Sequence, residues 1–186
     1  MEQFDSELHQ SFLTKYLPHN FVAEKSIISN LLQRPETIEI AIKTIRVETF
    51  YFKNHQEIYK ALIEMYKNQI PVDIFTLSKV LHENGYLHKI GGTKVLLELM
   101  NQIPNLTYLE EYIQLVQEKF LRRSLIRLGY EAINSGHITS IPFEEILDNF
   151  EKKSFNYFWN SKIMSKIINK DYGFEGVSIN SKEIKK

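Results

Sequence analysis

The chain has 186 residues, 43% of them hydrophobic, and its 23 Lys and Arg residues equal its 23 Asp and Glu residues in number. This content allows a folded core of ordinary size, while the zero net charge argues against a chain that holds nucleic acid through its phosphates unaided. The absence of cysteine excludes disulfides and thiolate metal sites.

Apolar residues recur at intervals of three and four along most of the chain, and this spacing predicts an all-α protein. Asn20 is a suitable N-cap for a first helix that runs to about Gln33. Its inward face is predicted to consist of Val22, Ile27, Ile28, Leu31 and Leu32. Pro35 then begins a second helix that continues through Ile45.

A third helix is predicted to begin at Asn54, with one apolar face. That face comprises Ile58, Leu62, Met65 and Tyr66. Asp73 has the chemistry of an N-cap for a fourth helix, and Gly85 can adopt the left-handed conformation that ends it.

The longest periodic run extends from Tyr108 to Asn134. Thr107 and Glu110 have capping-box spacing before it, and Gly136 ends it. A last helix is predicted to start near Ser140 and Pro142. We therefore expect a compact helical head followed by a long helical hairpin, with four segments: an N-terminal extension (1–17), the head (18–104), the hairpin (105–158) and a loose tail or linker remnant (159–186).

The tetrapeptide Gly91-Gly92-Thr93-Lys94 invites comparison with a phosphate-binding loop. Such a loop needs GxxxxGK[ST] between a strand and a helix, so that backbone N–H groups surround the phosphates. This stretch lacks the first glycine, the spacing, the strand and the final hydroxyl residue. We interpret it as a turn that starts a helix, and we expect no cofactor in this chain.

The six histidines never occur four residues apart, and none has a paired carboxylate at ligand spacing, so a metal site is not expected. His55 follows the aromatic run Phe50-Tyr51-Phe52, where we expect a packed, hydrogen-bonded histidine. No catalytic motif is recognisable, and we assign no catalytic residue.

The long helix changes its apolar face at Phe120. At about 100° per residue, Leu109, Ile113, Val116 and Phe120 share one line, whereas the later apolar residues form two other stripes. One return helix does not easily cover both stripes. We therefore predict that two copies of the chain pair through the hairpin; the alternative is that the head itself covers both stripes. The residues predicted to form the interface are Leu121, Leu125, Ile126, Leu128, Ile133, Ile146, Leu147 and Phe150.

Several stretches resemble the N-terminal domain of DnaB-type replicative DNA helicases, over roughly Leu17 to Phe158. They are "LPHNFVAEKSIISNLL", "FYFKNHQEIYKALIEMYKNQIPVDIFTLSKVL", "NGYLHKIGGTKVLLELMNQIPN" and "YIQLVQEKFLRRSLI". The resemblance implies a helical head and a hairpin whose pairing builds a ring of six copies as three dimers. It also implies docking of primase, and a separate motor that binds ATP, Mg and DNA, so that this chain meets DNA only indirectly.

The family continues from this domain into its motor, whereas this sequence passes through "NSKIMSKIINKDYGFEG" and stops. The resemblance thus predicts a collar domain that mediates subunit assembly and primase docking in DNA replication, without ATPase activity of its own. The alternative is a stand-alone regulator of a separately encoded helicase. A small DNA-binding helical protein is disfavoured by the balanced charge.

The location of the protein is predicted from what the sequence lacks and from its composition. The first residues are acidic and carry no apolar run of signal length, and no window approaches the roughly 18 apolar residues of a membrane span. The abundance of Ile, Lys, Asn, Phe and Tyr suggests an A/T-rich genome. We expect the cytoplasm of a bacterium, or the plastid stroma if an organelle encodes the chain.

Overall fold

The structure, a computed structural model, describes residues 17–102 and 108–158. Within these ranges the secondary structure is helical and contains no strand, so the predicted all-α class is confirmed. The α-helices are α1 (Phe21–Gln33), α2 (Ile38–Thr44), α3 (Lys53–Lys67), α4 (Ile74–Glu83), α5 (Gly92–Met100), α6 (Leu109–Gly136) and α7 (Phe143–Phe158). Short 3-10 helices, Pro35–Thr37 and Val47–Thr49, lie on either side of α2.

Two compact units divide the chain, residues 1–123 and residues 124–186. The long helix α6 contributes to both. The predicted N-terminal extension, the Thr107 cap, the boundary at 104/105 and the tail from residue 159 lie almost wholly outside the described residues, so the predicted segment limits stay predictions.

Helix α1 begins as predicted, because the side chain of Asn20 accepts the N–H of Ala23 at 2.9 Å. Ile27, Ile28 and Leu31 are fully buried in the core of the first unit. The prediction for Val22 was wrong, since 64% of this residue is exposed. Val22 is the second residue of the helix, and the buried residues of α1 begin one position later, at Ala23.

Helix α3 places Ile58, Leu62 and Met65 in the same core, in contact with α1 and α4. Tyr66 was also predicted to face inward, and this was wrong, because the residue is exposed. It lies in the last turn, at the edge of the buried face, where its hydroxyl can remain in water.

Helix α4 begins at a capping box. The side chain of Asp73 accepts the N–H groups of Phe75 (2.8 Å) and Thr76 (3.0 Å), and the Thr76 hydroxyl accepts the N–H of Asp73 at 3.1 Å. Gly85 follows the helix at φ +73°, so both sequence signals for this helix are confirmed.

Replacing Asp73 with alanine is expected to lower the midpoint of thermal unfolding by a few degrees at neutral pH. The hydrogen bonds from the backbone N–H groups of Thr76 and Phe75 and from the Thr76 hydroxyl lower the pKa of Asp73 below 3.8. The carboxylate therefore stabilises the folded state above that pH, and its contribution disappears as the pH falls through the lowered pKa. Calorimetry from pH 7 downward should show the difference between wild type and Asp73→Ala closing at acid pH. Asp73→Asn, which keeps an acceptor oxygen, should lose less at neutral pH.

Helices α6 and α7 occupy nearly the predicted spans. Leu109, Ile113 and Val116 on the first half of α6 join the core of the first unit, while Phe120 is half-buried. Helix α7 begins directly after Pro142, as the prolyl residue indicated.

Candidate functional site

The predicted interface residues on α6 differ widely in exposure. Leu125 and Ile133 are each 61% exposed, while Leu128 is buried. Leu121, in the first unit, and Ile126, in the second, are half-buried. The half of α6 beyond Arg123 thus carries large apolar side chains in contact with solvent.

Helix α7 presents apolar side chains in the same way. Leu147 is 46% exposed and Phe150 is 38% exposed, whereas Ile146 is half-buried. We call the predicted interface residues of the second unit that remain in contact with solvent the hairpin surface. They are Leu125, Ile126, Ile133, Ile146, Leu147 and Phe150. Leu128 is left out because it is buried within the chain.

Other exposed apolar residues of the second unit were missed by the sequence analysis. They are Ile138, Ile141, Phe143 and Phe155, and Phe143 is 66% exposed. The sequence predicted a helix start near Ser140 and Pro142 but indicated no role for these four residues. The density of apolar residues between 138 and 155 was the signal that could have identified them.

Helices α6 and α7 enclose a cleft of about 290 Å³ in the second unit. Its apolar lining includes Leu128, Ile146 and Phe150, so part of one apolar stripe of α6 faces the return helix. At its rim Lys153 donates to Glu131 at 2.7 Å, and the hydrogen bond and charge of Glu131 raise the pKa of Lys153. Because both side chains are largely exposed, the pair contributes little to stability.

The first unit contains a buried polar cluster around Glu24. Its side chain accepts the N–H groups of Tyr51 (2.8 Å) and Phe52 (3.2 Å), and His55 Nδ1 lies 3.0 Å from Oε2. Glu24 and His55 are both buried. The predicted packed and hydrogen-bonded His55 is therefore confirmed, and the cluster ties the loop before α3 to α1.

Arg123 forms a second polar anchor at the end of the first unit. This buried side chain donates to the backbone oxygens of Pro18 (2.8 Å) and Thr49 (2.7 Å) and lies over the ring of Tyr51. Such contacts hold α6 to two loops that precede α1 and α3. The role of Arg123 in the first unit is therefore structural, and these contacts create no reactive group.

The turn at Gly91 and Gly92 leads directly into helix α5. Both glycines have positive φ, at +102° and +75°, and helix α5 begins at Gly92. A Cβ on Gly91 would lie 2.7 Å from Cγ2 of Val95, so glycine at this position leaves room for the Val95 side chain of helix α5. The interpretation as a structural turn is confirmed by this geometry.

The described ranges, 17–102 and 108–158, offer neither a metal cluster nor a membrane-spanning helix. They contain no group of three or more His, Cys, Asp or Glu side chains placed to hold a metal ion. None of their helices is both long enough and apolar enough to cross a lipid bilayer.

The fold defines the class of this protein: an all-α domain with a compact helical unit and a helical hairpin. The DnaB-like helicase N terminal domain family matches residues 16–118. The crystal structure of the N-terminal domain of DnaB helicase from Mycobacterium tuberculosis is similar, with a TM-score of 0.70 and 26% sequence identity over 76% of this chain and 99% of that one. The chain belongs to the family of DnaB-like helicase N-terminal domains.

Relatives of this chain are longer proteins. A probable replicative DNA helicase from Trieres chinensis is 55% identical over 156 residues, which are 84% of this chain and 34% of that protein. The replicative DNA helicase DnaB from Synechocystis is 31% identical over 74% of this chain and 16% of its own length. The chain thus spans about a third or less of these relatives, which come from a diatom and a cyanobacterium.

Proposed function

We propose that this chain is the assembly domain of a replicative DNA helicase, and that two copies pair through the hairpin surface. The observation that carries the proposal is the exposure of Leu125, Ile133, Leu147 and Phe150. Concentrated apolar exposure of this kind is typical of protein interaction sites. The proposed action is binding, without covalent chemistry.

The energetics favour pairing that uses the whole hairpin surface. Full burial of one large apolar side chain contributes about 1.5–3 kcal/mol. Burying the half that is still exposed in the single chain would therefore add about 1 kcal/mol to the free energy of association. Association costs several kcal/mol in lost rotational and translational freedom. A few apolar contacts are therefore insufficient to hold two copies together. In a symmetric interface each copy contributes the same surface, so the free energy from each buried side chain counts twice.

Larger assembly and other partners are part of the same proposal. The family likeness supports a ring of paired domains. The greater length of the relatives supports a connected motor domain, and in this proposal that motor binds ATP, Mg and DNA. Docking of primase rests on the family likeness alone. Since this chain spans only part of its relatives, these roles belong to the assembled helicase.

Sedimentation equilibrium of the full 186-residue chain tests the pairing. At concentrations on the order of tens of micromolar we expect twice the mass of one chain, because a dimer with a micromolar dissociation constant is well populated there. A second series should add a motor domain from a relative, which we expect to join the assembly. A single-chain mass throughout the concentration range would reject the proposal.

A further inference from the structure

A cluster of aromatic rings lies at the surface of the first unit, where the described chain begins. His19 stacks on Tyr51 with ring centroids 4.5 Å apart, and Phe52 meets both rings edge-on, at 5.3 Å from His19 and 5.2 Å from Tyr51. Phe21 extends the cluster, with its ring 5.0 Å from that of Phe52. We call these four residues the aromatic platform.

The platform rests on a buried side chain and is open on its outer side. The ring of the buried His55 lies 5.5 Å from the rings of Phe21 and Phe52. In contrast, 49% of Phe21 is in solvent and His19 is exposed, while Tyr51 and Phe52 are half-buried. Such partly exposed rings on a packed support form a favourable contact for a second apolar surface.

Residues 1–16, which precede the described part of the chain, have an amphipathic sequence pattern. We call this segment the arm. Its larger apolar residues recur every four positions, and at about 100° per residue they fall within about 120° of a helix surface. They are Phe4, Leu8, Phe12 and Tyr16. The opposite side of such a helix would carry only polar residues, namely Gln3, Glu7, Gln10 and Thr14.

We propose that the arm folds back as a helix and covers the aromatic platform of its own chain. A helix of this length is marginal in water by itself, so its formation depends on covering its apolar side. The platform supplies that cover, and the arm in turn removes the exposed ring of Phe21 from solvent. This inference concerns the first unit only, and it goes beyond the proposed function without depending on it.

The point at which the arm joins the described chain favours this platform. Arg123 donates to the carbonyl oxygen of Pro18 at 2.8 Å, and His19 Nδ1 lies 2.8 Å from the carbonyl oxygen of Leu17. The arm therefore ends only three residues before His19, which belongs to the platform. So short a connection gives the arm a high effective concentration at its own platform, an advantage that a second copy lacks in dilute solution.

Charge favours the same contact. The arm has three acidic residues and one lysine, a side-chain net charge of −2. Two cations border the platform: Lys25 lies one turn after Phe21 on α1, and the exposed Lys53 directly follows Phe52. The attraction is moderate, because Lys53 also contacts Glu57 at 2.8 Å.

Limited trypsin digestion of the full chain tests the docking, because Lys15 is the first cleavage site and Lys25 is the next. We expect slow loss of residues 1–15 from the wild type. Leu8→Asp puts a charge on the apolar side of the arm and should speed this cleavage at least about tenfold, since cleavage follows the population of the open form. Gln10→Asp adds the same charge on the polar side and should be cleaved like the wild type. Mass spectrometry measures both rates.

Hydroxyl-radical footprinting of the same three proteins reports on the platform, whose own sequence is unchanged in all of them. We expect Phe21 to be more reactive in Leu8→Asp than in the wild type or in Gln10→Asp. Phe75, which is 83% exposed on α4, should react equally in all three and serves as the internal reference.

Each other outcome overturns a definite part of the inference. Equal cleavage at Lys15 and equal reactivity of Phe21 in the three proteins would overturn the docking. Faster cleavage of Leu8→Asp with no change at Phe21 would overturn the platform as the site. Protection of the wild type that disappears on dilution would assign the arm to a second copy. Sedimentation of the same samples tests hairpin pairing separately, so either proposal can fail while the other stands.

Discussion

Replacing Leu125 with aspartate is expected to weaken self-association of the chain by about a hundredfold or more. The substitution would place an unpaired carboxylate in an apolar contact, which costs several kcal/mol. Each 1.4 kcal/mol corresponds to about a factor of ten in the dissociation constant. Sedimentation equilibrium at several concentrations measures the change directly.

The exposure of Leu125 makes this substitution informative. Because 61% of the residue is in solvent, the single chain should fold normally with aspartate there, and its circular dichroism should match wild type. Val22→Asp is the matched control, since Val22 is 64% exposed but lies on α1. We expect it to assemble like wild type. Equal association of both variants would remove Leu125 from the interface.

Replacing Glu24 with alanine is expected to destabilise the first unit by roughly 2–5 kcal/mol. The buried carboxylate accepts two backbone N–H groups, those of Tyr51 and Phe52, and contacts His55. Alanine would leave these donors without their acceptor and would open a cavity. Urea unfolding followed by circular dichroism, at one fixed protein concentration, gives the free energy of unfolding.

Two variants control for the loss of a glutamate. Glu39→Ala removes an exposed carboxylate that pairs with Lys43, and we expect little effect. Glu24→Gln keeps one acceptor oxygen and should fall between alanine and wild type. If Glu24→Ala and Glu39→Ala unfold at the same urea concentration, the polar cluster is not a major source of stability.

Helical periodicity and capping chemistry predicted most of the fold. Asn20, Asp73 and Gly85 act locally, through their own backbone neighbours, so their roles can be read from adjacent residues. The two errors, Val22 and Tyr66, are each the second residue from an end of a helix. An apolar residue near a helix end can face water at small cost, so residue type alone did not show whether Val22 and Tyr66 are buried.

The roles of the Glu24 cluster and of Arg123 could not be derived from the sequence pattern. Glu24 binds backbone groups more than 25 residues away, and Arg123 binds carbonyls more than 70 residues away. Charged residues at such positions are indistinguishable from solvated ones until the loops are placed. Both residues were nevertheless among those that carried the family resemblance.

The change of apolar face on α6 was visible in the sequence, and its meaning depends on what covers the second half of the helix. Leu128 is covered within the chain, whereas Leu125 and Ile133 are not. Periodicity identifies an apolar side chain but does not show which neighbour reaches it.

Hydroxyl-radical footprinting across a dilution series tests most directly whether a second copy covers the hairpin surface. We expect Leu125, Ile133, Leu147 and Phe150 to react readily in dilute samples and to become protected as concentration rises, while the exposed residues Val22 and Phe75 of the first unit react equally at all concentrations. Reactivity of the hairpin surface that stays as high as that of Val22 and Phe75 at every concentration would contradict the account.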